Sequence, residues 1–393
     1  MELKGRRVFV RVDFNVPLET SNDIFEVRDD NRIRAAVPTI ETVFEKGGKC
    51  ILASHLGRPK GKPDKKYTME PVGKRLTELL KKDVILSEDC VGDGPTELSH
   101  QLKSGDVLLL ENLRFHEGEE KNSVDFANRL AALCDVYISD AFGTLHRAHA
   151  STYGLPKNIA EKGMGLLVQR ELEFLEPLKD NPKRPFVLVA GGAKVSDKMG
   201  ILEHFLSKVD AVLIGGAMAY AFLKAQGHEI GESLFDESQL FLAEKFLKSA
   251  EARSIKVFLP EDHLVATNLQ DTHPEFTEGR DVPIGKMAVD IGPKTLSLYR
   301  SAMVGAETIF WNGPMGVFEQ PAFAEGTFEV ARMIADSNAK KLAGGGDVAA
   351  AIAKSGCESR FDFISTGGGA TLEYLEGKEL PGLKALEVYL KNS

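Results

Sequence analysis

Phe186-Val187-Leu188-Val189-Ala190-Gly191-Gly192-Ala193-Lys194-Val195-Ser196-Asp197-Lys198 is the stretch on which the reading of the fold depends. Its valine-rich, apolar start suits a strand buried on both faces of a parallel sheet, and two glycines stop it in a tight turn. Ser196 and Asp197 are helix-starting types, and Met199, Ile201, Leu202 and Phe205 then recur at helical spacing. At such a strand–turn–helix junction, backbone N–H groups and the helix dipole meet an anion, and Lys194 and Lys198 add charge one turn apart. An ordinary βα turn with surface lysines has the same pattern. The rest of the chain has to decide between them.

Upstream, an apolar run from Arg7 to Val12 predicts a buried strand whose carboxyl end displays Arg11, Asp13 and Asn15. Ile33, Val37, Ile40 and Val43 mark one face of a helix. Arg32 in its first turn opposes the helix dipole, a placement that makes sense if an anion is held there. A strand over Cys50 to Ser54 ends in His55-Leu56-Gly57-Arg58-Pro59, followed by a basic, Pro/Gly-broken loop from Lys60 to Lys66 and a helix near Glu70 to Lys81. Val107 to Glu111 reads as a strand ending in Asn112-Leu113-Arg114-Phe115. A helix near Val124 to Leu133 leads to a strand over Val136 to Asp140, which runs into His146-Arg147-Ala148-His149. This alternation implies a parallel sheet with helices on both faces. Open α/β sheets bind ligands beyond the carboxyl ends of their strands. Arg58, Arg114 and Arg147 each follow such an end, and Arg32 opens a nearby helix, with His55, His146 and His149 close by. A single arginine there would read as a surface salt bridge; the set reads as an anion pocket, with Asp13 and Asn15 as acceptors for substrate hydroxyls.

Downstream, Gly163 to Leu178 predicts a helix, and Pro182 and Pro185 follow it, which makes this stretch the connector between domains. The second half repeats the scheme, with strands expected at 186–190, 211–215, 256–260, 308–312, 339–343 and 361–365. Their ends carry Gly191-Gly192, Gly215-Gly216, Asn312-Gly313-Pro314-Met315-Gly316, Gly344-Gly345-Gly346-Asp347 and Gly367-Gly368-Gly369. Glycine lets the backbone approach a ligand, and so many glycine turns along one edge point to a nucleotide or polyphosphate. Asp347 is placed to hold Mg2+ beside phosphates, or to cap the following helix. Glu319 can accept ribose hydroxyls or cap the next helix, while Phe310, Trp311 and Phe318 read as core. The apolar stretch Leu380 to Leu386 is expected to dock, crossing back to the first domain. The fold class is α/β: two doubly wound, Rossmann-like parallel-sheet domains joined by a hinge helix. The expected boundaries are 1–162, 163–182 for the helix and linker, 183–370, and a returning tail at 371–393.

The chain has 393 residues, 43% hydrophobic and 27% charged, so it can bury a large core. A net charge of −9 argues against a general nucleic-acid binder. Cys50, Cys90, Cys134 and Cys357 lie far apart without paired spacing, which suits a reducing cytoplasm and implies neither a zinc site nor a disulfide frame. Met1 to Arg7 is charged and shows no secretory signal, and no apolar run approaches the ~20 residues of a membrane span. Nothing marks a dimer face, so a monomer is expected. The absence of GxxxxGK[ST] removes a P-loop NTPase, and the absence of GxGxxG weakens a dinucleotide dehydrogenase. A carboxylate kinase and a non-catalytic two-domain binding protein both stay open on these grounds.

Taken together, Arg11-Val12-Asp13-Phe14-Asn15-Val16-Pro17, Ser54-His55-Leu56-Gly57-Arg58-Pro59, Glu111-Asn112-Leu113-Arg114-Phe115, Asp140-Ala141-Phe142, His146-Arg147-Ala148-His149, Gly191-Gly192-Ala193-Lys194, Trp311-Asn312-Gly313-Pro314 and Ser365-Thr366-Gly367-Gly368-Gly369 resemble the phosphoglycerate kinase family from end to end. The resemblance implies direct in-line phosphoryl transfer from 1,3-bisphosphoglycerate to ADP, giving 3-phosphoglycerate and ATP, with Mg2+ accompanying the nucleotide. It assigns Asp13, Asn15, Arg32, His55, Gly57, Arg58, Arg114 and Arg147 to the phosphoglycerate. It assigns Gly192, Lys198, Gly215, Glu319, Gly345, Gly346, Asp347 and Val348 to the nucleotide, with Asp347 toward the metal. Arg32, Lys194 and the helix start at Gly368 are the implied catalytic groups, meeting over the phosphoryl when the domains close. Val348 departs from the family's usual Ser or Thr, which leaves only a backbone N–H for phosphate, and Ala288 stands where many relatives have glycine.

Overall fold

Val8, Phe9, Val10 and Val12 are fully buried, so the strand Arg7–Val12 needs cover on both faces. It lies inside a six-stranded parallel sheet whose spatial order is Val84–Leu86, Val107–Leu109, Lys49–Ala53, Arg7–Val12, Val136–Asp140, Glu161–Met164. Side chains alternate between two cores. Val8, Val10, Leu52 and Leu109 meet Ile33, Ile40, Val72 and Leu76 from the helices Asn31–Glu45 and Glu70–Leu80. Phe9, Ile51, Leu108 and Tyr137 meet Phe126, Leu130 and Leu155 on the other side. This computed structural model describes residues 1–21 and 24–386, and the chain divides into two units. Met1–Glu173 and the described residues from Glu379 form the first, and Phe174–Lys378 form the second.

The second unit is built on the same plan. Its parallel sheet runs Lys256–Phe258, Ala211–Ile214, Phe186–Ala190, Thr308–Asn312, Lys340–Gly344, Phe363–Ser365. The Phe186–Ala190 stretch is therefore a fully buried inner strand, and Phe310 and Trp311 are core. The fold is α/β, with parallel sheets in both halves. Among the described residues, no helix is long and apolar enough to cross a membrane.

The structure departs from the sequence expectations in several places. Gly163 and Met164 do not begin the connecting helix; they finish the edge strand Glu161–Met164, which lies across the boundary expected at 162, and the helix is Leu166–Asp180. The helix after Lys194 starts later than Ser196 and Asp197 suggest: Lys198 is its N-cap and it covers only Met199–Phe205. A hairpin, Leu18–Ser21 with Ile24–Val27, and a small antiparallel sheet of Glu275–Phe276, His263–Ala266 and Met287–Ile291 were not anticipated. Pro381–Leu386 is helical, and its Gly382 N–H donates to Leu145 O at 2.9 Å within the first unit. Residues 387–393 of the expected tail lie outside the described residues.

Candidate functional site

In the first unit the turns after the strands carry the expected residues to one edge, and they are tied to each other. Asn112 does most of the tying: its Oδ1 accepts from Leu56 N–H (3.2 Å) and Arg114 N–H (3.0 Å), and its Nδ2 donates to Leu56 O (2.7 Å) and Tyr67 O (2.9 Å). Asn15 Oδ1 accepts from Gly57 N–H at 2.8 Å, and Arg114 Nη1 donates to Gly57 O at 2.8 Å. Gly57 sits at φ +61, and a Cβ there would lie 2.2 Å from the Tyr67 ring. Arg32 Nη1 donates to Asp13 Oδ2 at 3.0 Å, so Asp13 positions this arginine as well as offering an acceptor. Arg58 stays exposed.

The electrostatics of His55 show which arginines converge. Burial first, then the charges of Arg11, Arg114, Arg147 and Arg32, hold its imidazole well below the usual histidine range. The same burial, with Arg114, Arg11 and Arg147, brings His149 down to about 4. Both rings are thus neutral at pH 7. Arg11 Nη2 lies 3.3 Å from His55 Nδ1. A guanidinium only donates, so Nδ1 accepts and the ring proton sits on Nε2, ready to donate to an oxyanion.

Arg11 is itself only 1% exposed and is held by a network that sequence reasoning missed. Its Nε donates to Ser151 Oγ at 2.8 Å, and Ser151 donates through Oγ (2.6 Å) and N (2.9 Å) to the fully buried Glu119. Burial raises the Glu119 carboxyl, while Arg11 and the Ser151 bonds pull it back. Nothing in Glu117-Gly118-Glu119-Glu120 marks Glu119 as different from a solvated acidic run. Arg114 Nε lies 3.2 Å from Glu120 Oε1. Arg11 and Arg147 hydrogen-bond to no carboxylate among the described residues; Arg147 Nε donates to His146 Nε2 at 3.1 Å. A buried edge with more guanidinium than carboxylate is suited to an anion.

In the second unit the glycine turns fall into two kinds. Gly191, Gly192 and Gly216 donate to Asn312 O (2.9 Å), Pro314 O (3.0 Å) and Met315 O (2.9 Å), so three turns are knitted by main-chain bonds. A Cβ on Gly191 would lie 2.1 Å from Pro314 O, and one on Gly313, at φ +97, would lie 2.1 Å from Gly191 O. These glycines, and Gly215 against Met315, are needed by neighbouring turns. By contrast, Cβ atoms on Gly346 and Gly368 would meet nothing within 4 Å, and both glycines stand at helix starts, Gly346–Lys354 and Gly369–Leu375. Those are the places where a phosphate has room beside free N–H groups.

The two lysines are not equivalent. Lys194 is exposed, on the turn leaving the inner strand. Lys198 is half-buried with its Nζ on Asn312 Oδ1, and burial lowers its pKa while Asp197 and Asp347 oppose that shift. Asp347 is exposed in the first helical turn and caps no N–H group of that helix, so its carboxylate is available to a cation; this suits Mg2+, which takes one or two carboxylates together with phosphate oxygens and water. Val348 is fully buried in the core, so only its backbone can serve a ligand. Glu319 is exposed beyond the Asn312 turn.

A model of the family described as phosphoglycerate kinase matches residues 1–378. The chain is 54% identical over 390 residues to the phosphoglycerate kinase of Anaeromyxobacter sp. (strain Fw109-5) and 55% identical to that of Anaeromyxobacter dehalogenans (strain 2CP-C), covering 98% of each chain in both cases. Among solved structures it superimposes on phosphoglycerate kinase from Coxiella burnetii with a TM-score of 0.88 at 39% identity, covering 98% of this chain and 97% of that one. For the enzyme from Pyrococcus horikoshii OT3 the TM-score is 0.85 at 33% identity, with 100% and 98% covered. An α/β protein with an arginine-rich sheet edge in one unit and glycine turns at helix starts in the other is, with these relatives, a phosphotransferase. Within that class, the chain belongs to the phosphoglycerate kinase family.

Proposed function

We propose that this chain transfers a phosphoryl group reversibly between 1,3-bisphosphoglycerate and ADP, with 3-phosphoglycerate and ATP as products, as a cytoplasmic monomer in glycolysis or gluconeogenesis. The observation that carries the reading is the convergence of Arg11, Arg32, Arg114 and Arg147 on a buried, neutral His55. That edge can neutralise a ligand bearing both phosphate and carboxylate. Asp13, Asn15, His55, Gly57, Arg58, Arg114 and Arg147 hold the phosphoglycerate. Gly192, Lys198, Gly215, Glu319 and Gly345 to Val348 hold the nucleotide, with Asp347 toward Mg2+, which supplies charge neutralisation on the phosphates.

Charge on the moving phosphoryl spreads over its equatorial oxygens, so positioning and electrostatics matter more than a base. Arg32, Lys194 and the N–H groups at Gly368 provide that stabilisation. The acceptor is a β-phosphate oxygen in one direction and a carboxylate in the other, and neither needs deprotonation at neutral pH. The chemistry therefore needs no general base, and His55 and His149 act as neutral groups. A coupled assay with 3-phosphoglycerate, Mg2+ and ATP is expected to show ADP formation that acetate, aspartate and glutamate do not support. Turnover with one of those acids and none with 3-phosphoglycerate would assign a different carboxylate kinase.

A further inference from the structure

Asp89, Cys90 and His116 bring a carboxylate oxygen, a thiol sulfur and an imidazole nitrogen within 4.8 Å of one another, outside every residue assigned above to phosphoglycerate or nucleotide. His116 Nε2 lies 2.6 Å from Asp89 Oδ1, and the Cys90 N–H donates to the same oxygen at 2.6 Å. Cys90 is fully buried; burial, followed by the charges of Asp89 and Glu119, pushes its thiol well above the ordinary value, and the thiol also hydrogen-bonds the Asp89 carboxylate. The His116 ring is fixed by stacking on Phe126, with centroids 5.1 Å apart. Asp89 and His116 open onto a cavity of about 410 Å³ that Asp64, Glu88 and Glu111 also line. Glu111 is already committed, accepting from Thr68 Oγ1 at 2.7 Å and Met69 N–H at 2.8 Å, so its charge contributes to the field without competing as a ligand.

We propose that Asp89, Cys90 and His116 form a site for a thiophilic divalent cation of the Zn2+ type, separate from the magnesium that accompanies nucleotide. Sulfur, imidazole nitrogen and a single carboxylate oxygen are the donor set of zinc and its neighbours, whereas magnesium takes oxygen alone. The charges balance. The ion displaces the Cys90 thiol proton to solvent, the His116 proton moves to Nδ1 so that the Nε2 lone pair faces the metal, and carboxylate plus thiolate match the two positive charges. Three protein ligands leave a fourth position toward the cavity, where water completes the tetrahedron. Cysteine spacing hides the site, because Asp89-Cys90 and His116 meet only through the fold. His116 directly follows the turn Leu113–Phe115 that carries Arg114, so a bound ion would fasten that turn.

The test is titration of the full, reduced, metal-stripped chain with Co2+ in the absence of nucleotide. One equivalent is expected to bind with a thiolate-to-cobalt charge-transfer band and intense tetrahedral visible absorption, displaced by Zn2+ and not by excess Mg2+. Cys90→Ser should abolish the band, and Cys50→Ser and Cys134→Ser should leave it. His116→Gln, at a partly exposed ring outside the buried core, should weaken Co2+ binding at least ~10-fold. No thiolate band at one equivalent, or a band of full strength in either folded variant, overturns the site.

Discussion

The first unit gathers guanidinium groups at its sheet edge, whereas the second offers main-chain N–H groups at glycine-rich helix starts and few fixed charges. Each choice has its own structural cost. Packing Arg11, Arg32, Arg114 and Arg147 around one edge stores like-charge repulsion, and the fold manages it by keeping His55 and His149 neutral and bracing Arg11 through Ser151 to Glu119. Backbone dipoles carry no net charge and can be crowded without repulsion, but they need φ and space that only glycine supplies at Gly313. The first edge should therefore be sensitive to charge and pH, and the second to an added methyl group.

The largest effect expected from that contrast is on the glycine side. Gly313→Ala places a Cβ 2.1 Å from Gly191 O at φ +97. Strain and overpacking together should cost about 4 kcal/mol. Trp311, the single tryptophan, is buried beside this turn and donates to Gly313 O at 2.8 Å, so its fluorescence in a urea titration reports the loss. An unchanged midpoint would mean that the turns are not interlocked as described.

Next in size, Arg32→Ala or Lys194→Ala should lower kcat by at least ~10² (~2.7 kcal/mol) with the circular dichroism unchanged. Near-normal turnover in either variant removes that residue from the transfer step. Arg114→Ala should raise KM for 3-phosphoglycerate by roughly 30-fold, the loss of charge-assisted hydrogen bonds, while KM for ATP moves less than about twofold. A shift of both constants together would break the division of labour between the units.

The smallest effect concerns protons. His149 has a folded pKa of about 4, below its ordinary 6.5, so its contribution to stability is fully present above pH 6.5 and is lost as pH falls toward 4. Asp140 works oppositely: burial raises it to about 6, so protonation on acidification favours the folded state there. Comparing urea unfolding of the wild type and His149→Gln at pH 7 and pH 4.5 isolates the histidine. The variant should lose less on acidification, by about 1 to 2 kcal/mol once partial exposure is allowed for. Equal losses would show that His149 takes up its proton freely in the folded chain.

How far the sequence could be read follows from the same physics. The inner strands and the arginines after them were legible because doubly covered strands are continuous apolar runs and their carboxyl ends are fixed in position. Glu161-Lys162-Gly163-Met164 was not, since a partly exposed edge strand needs no β-like composition. The antiparallel pair Leu18–Ser21 and Ile24–Val27 and the small antiparallel sheet are made of segments too short for periodicity to register. The chain shows where glycine turns occur but not that Gly191 and Gly313 face each other while Gly346 and Gly368 face open space, because that depends on contacts between residues far apart in sequence. Glu119 and the Asp89, Cys90 and His116 group were hidden for the same reason.

The knitted turns at Gly191, Gly216 and Gly313 also set where movement can begin. Met218 N–H donates back to Gly192 O at 2.9 Å, so the chain is anchored on both sides up to that residue. Ala193, Lys194, Ser196 and Asp197 just beyond it are exposed. Lys194 thus stands between two moorings, Gly192 and the buried Val195, whose N–H donates to Gln239 Oε1 at 2.5 Å, so any change in its reach must come from its own side-chain torsions rather than from the backbone.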